Sequence, residues 1–168
     1  VLSWQGRSAD PGGPFERLSV AEAFRRDAGV DLLASAADPR APRADDLAAA
    51  ARRIGIATQP RDSWEDIFFR IFLERIEPKL GVGRPTILHS YPASMAALAR
   101  VSRADPRVAE RAELYVAGLE IANGFGELTD AAEQRRRFDA DMARREALYG
   151  TRLPIDEDFL AAVGAMLI

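Results

Sequence analysis

The chain has no cysteine among its 168 residues. That excludes disulfides, thiolate metal sites and a cysteine nucleophile. Histidine occurs once, as His89, which argues against a His-rich metal site and against a Ser-His-Asp triad made within the chain. No apolar run is long enough to span a bilayer. There is no Walker loop or G-x-G-x-x-G, no internal repeat and no recognisable signal peptide. Net charge is −3, from 23 basic and 26 acidic residues. That balance does not favour a nucleic-acid-binding surface. The chain starts at Val1 rather than Met and is expected to be a piece of a longer protein.

What is present suits one domain with a real core, since 48% of residues are hydrophobic. Residues 1–17 hold Pro11, Gly12, Gly13 and Pro14 and read as a loop or insertion. Residues 18–80 read as a helical segment. Ser19 with Glu22 forms a capping box for a helix to Ala28, ended by Gly29. A second helix is predicted from Ala44 to Ile54. A third is predicted from Asp62, capped through Glu65, to Pro78. In the third, Trp64, Ile67, Phe68, Ile71 and Phe72 fall at helical spacing, and Phe69, Leu73 and Ile76 extend the apolar surface, so burial on more than one side is expected. Residues 85–168 read as antiparallel strands and helices. Thr86–Tyr91 is a strand stopped by Pro92, and Ala109–Ala117 and Leu119–Phe125 are strands around a turn at Ala117-Gly118. A helix opens at Asp130 with Glu133 and runs to Leu148, and a last one starts near Asp156. The class is α+β.

The chemistry is concentrated in Arg111–Phe138, RAELYVAGLEIANGFGELTDAAEQRRRF. With the turn at Ala117-Gly118, Glu113 and Glu120 are diagonal neighbours on one sheet face. Like charges so close repel unless a cation lies between them. Magnesium on one or two carboxylates plus substrate phosphates meets that need. On spacing alone the better supported outcome is plainer, a solvated face paired with Arg. Asn123-Gly124-Phe125-Gly126-Glu127 follows. Its glycines permit a bulge that re-aims Asn123 and Glu127 into a cavity, or they form an ordinary turn. His89 reads as a strand histidine satisfied by the fold. Arg135, Arg136, Arg137, Arg144 and Arg145, interleaved with Glu133, Asp139, Asp141 and Glu146, read as a solvated helix face.

The same stretch resembles the block before motif 3 of class II lysyl-tRNA synthetases. The matching residues are Glu113, Glu120, Asn123, Gly124, Phe125, Glu127, Leu128, Asp130, Gln134 and Phe138. The resemblance implies that Glu113 and Glu120 face ATP and hold Mg2+, with Ile121 beside the nucleotide. It implies that Asn123, Phe125 and Glu127 line a lysine pocket, with Glu127 taking the side-chain ammonium. Ala112 departs from the family, which often has a large aromatic there.

A second block, Tyr91-Pro92-Ala93-Ser94-Met95-Ala96-Ala97-Leu98-Ala99, resembles the branch that lysylates elongation factor P. The implied whole is the carboxy-terminal part of a class II catalytic domain with a helical insertion. The implied reaction activates lysine or β-lysine as an adenylate and passes it to elongation factor P. A homodimeric, cytoplasmic parent is expected. Transfer to tRNA is the rival expectation, and a non-catalytic synthetase-like module a third. No motif 1 is found, motif 2 is expected to lie before Val1 and motif 3 after Ile168, so the isolated chain is expected to be inactive.

Overall fold

The computed structural model describes residues 1–166. Its elements are β1 (Leu2–Trp4), β2 (Arg7–Ala9), β3 (Glu16–Ser19), α1 (Val20–Ala28), α2 (Ala44–Arg53), α3 (Trp64–Ile71), β4 (Thr86–Pro92), β5 (Val108–Val116), β6 (Leu119–Phe125), α4 (Ala131–Tyr149) and α5 (Glu157–Ala165). Strands β3-β4-β5-β6 form one sheet, and β1 and β2 form a separate hairpin. The pairings β4–β5 and β5–β6 are antiparallel. The class is α+β, with one parallel pairing, β3 on β4.

Residues 1–17 are therefore not a plain loop. The amino-terminal hairpin turns at Gln5-Gly6, both with positive φ, and Glu16 and Arg17 already lie in the sheet. The cluster Pro11-Gly12-Gly13-Pro14 lies between β2 and β3.

Helix caps follow the sequence closely. Ser19 and Glu22 make the expected capping box, and Gly29 ends α1 at φ 67°. In α3 the box is shifted by one residue: Ser63 is the cap and Asp66 its partner. Asp62 instead accepts from the Gln59 amide and pairs with Arg70. The α3 helix continues through a π turn, Phe72–Ile76, into a short 3-10 turn, Glu77–Lys79. Pro78 lacks the N–H that an α-helix would need there.

The helices bury one continuous core against the sheet. Phe68, fully buried, stacks on Phe24 at 4.8 Å, Trp64 at 5.7 Å and Phe72 at 5.7 Å. Leu88 and Tyr115 complete this core from the strands. The expected burial of α3 on several sides is not seen: Phe69 and Leu73 are exposed. Only the stripe through Trp64, Ile67, Phe68 and Ile71 is covered. The helical layer stops short of β6, all of which is exposed but for half-buried Phe125. The sheet is thus covered at β3, β4 and much of β5, and open at β6.

Helix α4 caps on Asp130, whose carboxylate accepts from the Ala132 and Glu133 amides. Hydrogen bonds from Arg136, and next from Arg137, hold the Glu133 carboxyl down at about 2 against a smaller effect of burial. Its folded value lies below the unfolded one, so it stabilises above pH ~4.5, and the contribution fades as pH falls from there toward 2. Glu133→Gln should therefore cost about 0.5–1 kcal/mol at pH 7, discounted for partial exposure, and almost nothing at pH 2. Urea melts at the two pH values would measure this, and an equal cost at both would rule out the ionic explanation. Among the described residues no helix is long and apolar enough to cross a membrane.

Candidate functional site

The β5–β6 hairpin builds the site. Ala117 at φ 53° and Gly118 at φ 78° form its two-residue turn, as expected from the sequence. A Cβ at Gly118 would lie 2.4 Å from the Arg7 guanidinium, so that flexible side chain would have to move aside. Val116 pairs with Leu119 and Tyr115 with Glu120, but Leu114 pairs with Ala122. Ile121 is the extra residue, a bulge on β6.

That bulge decides which side chains meet. Without it, Asn123 would point away from Glu120. With it, Asn123 lies opposite Glu113 and Phe125 opposite Arg111, so Arg111, Glu113, Tyr115, Glu120, Asn123 and Phe125 share one face. The expectation placed a bulge at Gly124 and Gly126. It occurs earlier, at Ile121, and turns Asn123 to the face that carries Glu113. Ile121 itself is exposed.

Glu113 is the buried hub of this face. Its Oε2 accepts hydrogen bonds from the hydroxyls of Tyr91 and, at 2.7 Å, Tyr115. Its Oε1 accepts from Arg111 Nη2 at 2.7 Å and from Asn123 Nδ2 at 3.4 Å. Burial first, and the Glu113 charge second, push the Tyr91 phenol far above its ordinary range. Burial and then the hydrogen bond to Glu113 do the same for Tyr115. Both hydroxyls thus stay protonated and donate. The Arg111 guanidinium lies 4.5 Å from the Tyr91 ring centroid and 5.8 Å from that of Phe125, and it also donates to the Met95 carbonyl. Tyr91, Arg111 and Tyr115 carry no role in the sequence reading. The signal for two of them was their i−2 and i+2 spacing about Glu113.

Glu120 is exposed, and its carboxyl is raised above the usual range by partial desolvation and then by repulsion from Glu113. Arg111 and the Asn123 amide pull the other way. The register puts the two glutamates on one face, as the spacing implied, but among the described residues only Glu113 is paired with an Arg, and it is buried rather than solvated. Hard oxygen donors with mutual repulsion suit Mg2+, but all four acceptor positions of Glu113 are already occupied. Among the described residues no cluster of three or more potential metal ligands occurs.

Glu127 follows the strand. Its backbone bridges to Ala99, and the neighbouring Gly126 packs so closely on Glu110 that a Cβ would lie 2.5 Å from its carboxylate. The Glu127 carboxylate is half-buried and has no hydrogen-bond donor or ion-pair partner among the described residues. The structure shows no contact joining it to Asn123.

A concavity of about 1160 Å³ lies elsewhere, between α4 and the Ala93–Leu98 turn. Size alone would place a site there. On α4 its guanidinium groups are paired: Arg136 and Arg137 with Glu133, and Arg144 with Asp141 and Glu65, while Arg40 makes no ion pair among the described residues. This matches the reading of α4 as a solvated, self-neutralised face. His89 is half-buried and bonds Ser90 at 2.9 Å, as expected of a strand histidine.

Comparison with known proteins identifies the class to which this α+β chain belongs. The family model for class II tRNA synthetases (D, K and N) matches residues 4–163, and the chain belongs to that family. Within it, the chain is 43% identical over 152 residues to the elongation factor P–(R)-β-lysine ligase of Proteus mirabilis, covering 90% of this chain and 45% of that protein. It is 42% identical over 154 residues to the ligase of the same name from Klebsiella pneumoniae strain 342, covering 92% and 46%. The Sodalis glossinidius ligase is 41% identical over 148 residues, covering 88% and 44%. The chain thus spans less than half the length of these relatives.

Proposed function

We propose that the full-length protein carrying this chain activates lysine or β-lysine with ATP and transfers the acyl group to a lysine of elongation factor P. The observation that carries this is the bulged hairpin, which gathers Glu113, Glu120, Asn123 and Phe125 on one open sheet face. The names of the relatives support the choice of substrate and acceptor. So does the Pro92-Ala93-Ser94 segment.

In this reading the amino-acid carboxylate attacks the α-phosphate of ATP, and pyrophosphate leaves. The acceptor amine then attacks the carbonyl of the adenylate, and AMP leaves. Glu113 and Glu120 would hold Mg2+, which when bound offsets phosphate charge. Ile121, projecting from the bulge, would lie against the nucleotide. Asn123 and Phe125 would line the amino-acid pocket. The unpartnered Glu127 carboxylate would take the side-chain ammonium. Such a site works mainly by positioning and charge neutralisation. A homodimeric, cytoplasmic parent fits this reading.

The acceptor is tested by competition. The full-length protein, given ATP, radiolabelled lysine or β-lysine, elongation factor P and tRNA together, should label the protein and leave tRNA unlabelled. Charging of tRNA with no label on elongation factor P would reverse the assignment of the acceptor.

A further inference from the structure

Residues 97–100 lie between two supports. On one side they pair with the stretch that carries Glu127. Ala99 bridges to Glu127, the Leu128 amide donates to the Leu98 carbonyl at 2.9 Å, and the Arg100 amide donates to the Gly126 carbonyl at 2.7 Å. In such an antiparallel pairing the carbonyls of Ala97 and Ala99 face the other way. There they meet α4. Arg137 Nη1 donates to the Ala97 carbonyl at 3.0 Å and to the Ala99 carbonyl at 2.8 Å, while its Nε donates to Glu133 at 3.0 Å. The guanidinium takes the place of a neighbouring strand, and Glu133 aims it.

Three observations set Arg137 apart from the solvated surface of α4. Its side chain is 15% exposed, against 49% for Arg136, which shares Glu133. Ala99 is fully buried, so its carbonyl would be left without a partner in the interior if the guanidinium were removed. Ala97 sits at φ 51°, a conformation that an alanine holds only where its surroundings enforce it. Without Arg137 the segment must shift to bring the Ala99 carbonyl to water, and Ala99 is the residue bridged to Glu127.

We propose that Arg137 is a positioning residue for the amino-acid pocket: by holding the Ala97 and Ala99 carbonyls, it fixes the backbone of Glu127 and so aims the Glu127 carboxylate at the substrate ammonium. The inference rests on the placing of Glu127 in that pocket. It gives α4 a part in substrate selection although none of its residues lies on the β5–β6 face.

The test compares Arg137→Met with Arg136→Met in the full-length protein. Methionine keeps an apolar stem and removes the donors. Arg136 is the matched control, since it bonds Glu133 and no carbonyl of residues 97–100 among the described residues. Amide hydrogen exchange reads the backbone directly. In Arg137→Met the amides of Arg100 and Leu128 should exchange about 5- to 20-fold faster while those of β5 are unchanged. Arg136→Met should leave all of them within about 2-fold. Lysine-dependent pyrophosphate exchange reads the pocket. Arg137→Met should raise the KM for lysine about 3- to 10-fold and the KM for ATP by less than about 2-fold. Added to Glu127→Gln it should raise the lysine KM by less than about 2-fold more, because it acts through Glu127. Unchanged exchange at Arg100 and Leu128, equal effects of the two arginine variants, or additive effects in the double variant would each overturn the proposal. If Glu127→Gln alone leaves the lysine KM unchanged, Glu127 is not in the pocket, and the proposal falls with that reading. If Glu127→Gln raises it and Arg137→Met does not, the reading of Glu127 stands and only the positioning role is lost.

Discussion

Glu127→Gln in the full-length protein is expected to raise the KM for lysine about 10- to 100-fold while the KM for ATP changes little. The substitution keeps the size of the side chain and removes its charge. A hydrogen bond to a charged partner contributes about 1.5–3 kcal/mol, against about 1 kcal/mol between neutral groups. Each 1.4 kcal/mol is tenfold in affinity. The structure supports this role in one respect: Glu127 is half-buried and unpaired, so its charge is not already committed to the fold. Lysine-dependent exchange of pyrophosphate into ATP measures both constants. An equal rise in both would point to general damage and remove Glu127 from the pocket.

Phe68→Ala is expected to destabilise the chain by about 3–5 kcal/mol. Phe68 is fully buried and packs on Phe24, Trp64, Phe69 and Phe72. Removing its ring opens a cavity at the centre of the largest core among the described residues. A domain of this size has a total stability on the order of 5–15 kcal/mol, so the variant should be partly unfolded at 37 °C. Urea denaturation followed by tryptophan fluorescence would show a large drop in midpoint at nearly constant slope. Phe69→Ala is the internal comparison, because that ring is 47% exposed. A similar loss in both variants would mean that the core is not where the structure puts it.

Local rules made much of this fold readable in the sequence. The capping box at Ser19 and Glu22, the Gly29 stop and the turn at Ala117-Gly118 depend on neighbouring residues, and each is found as expected. The failures have physical causes. Asp62 and Ser63 are both good cap residues, and only the Gln59 and Arg70 partners of Asp62 decide between them. Phe69 and Leu73 look like core by composition, but no element covers them. The strands of residues 1–19 are too short to show a period, and β3 owes its place to pairing with β4, nearly 70 residues away.

At the site, the carboxylate pair was legible because two strands and a tight turn fix which residues are neighbours. The bulge at Ile121 was not, since nothing in Leu119–Phe125 marks it as the position where the pairing slips. Nor was the fully occupied state of Glu113, which needs Tyr91 from a strand 22 residues earlier.

The open edge of β6 also bears on how the chain behaves in company. An exposed strand offers unpaired amides and carbonyls to any other strand, including its own copy. Here that edge carries Leu119 and Ile121, 43% and 54% exposed, on a β-prone segment. Glu120 is the only charge between Leu119 and Phe125. It therefore acts as the gatekeeper of this strand, keeping two such edges apart by repulsion. Because its carboxyl is raised, mild acid strips that charge sooner than it would from an ordinary glutamate. The residue proposed to meet a cation is thus also the one charge that opposes stacking of the hairpin on itself.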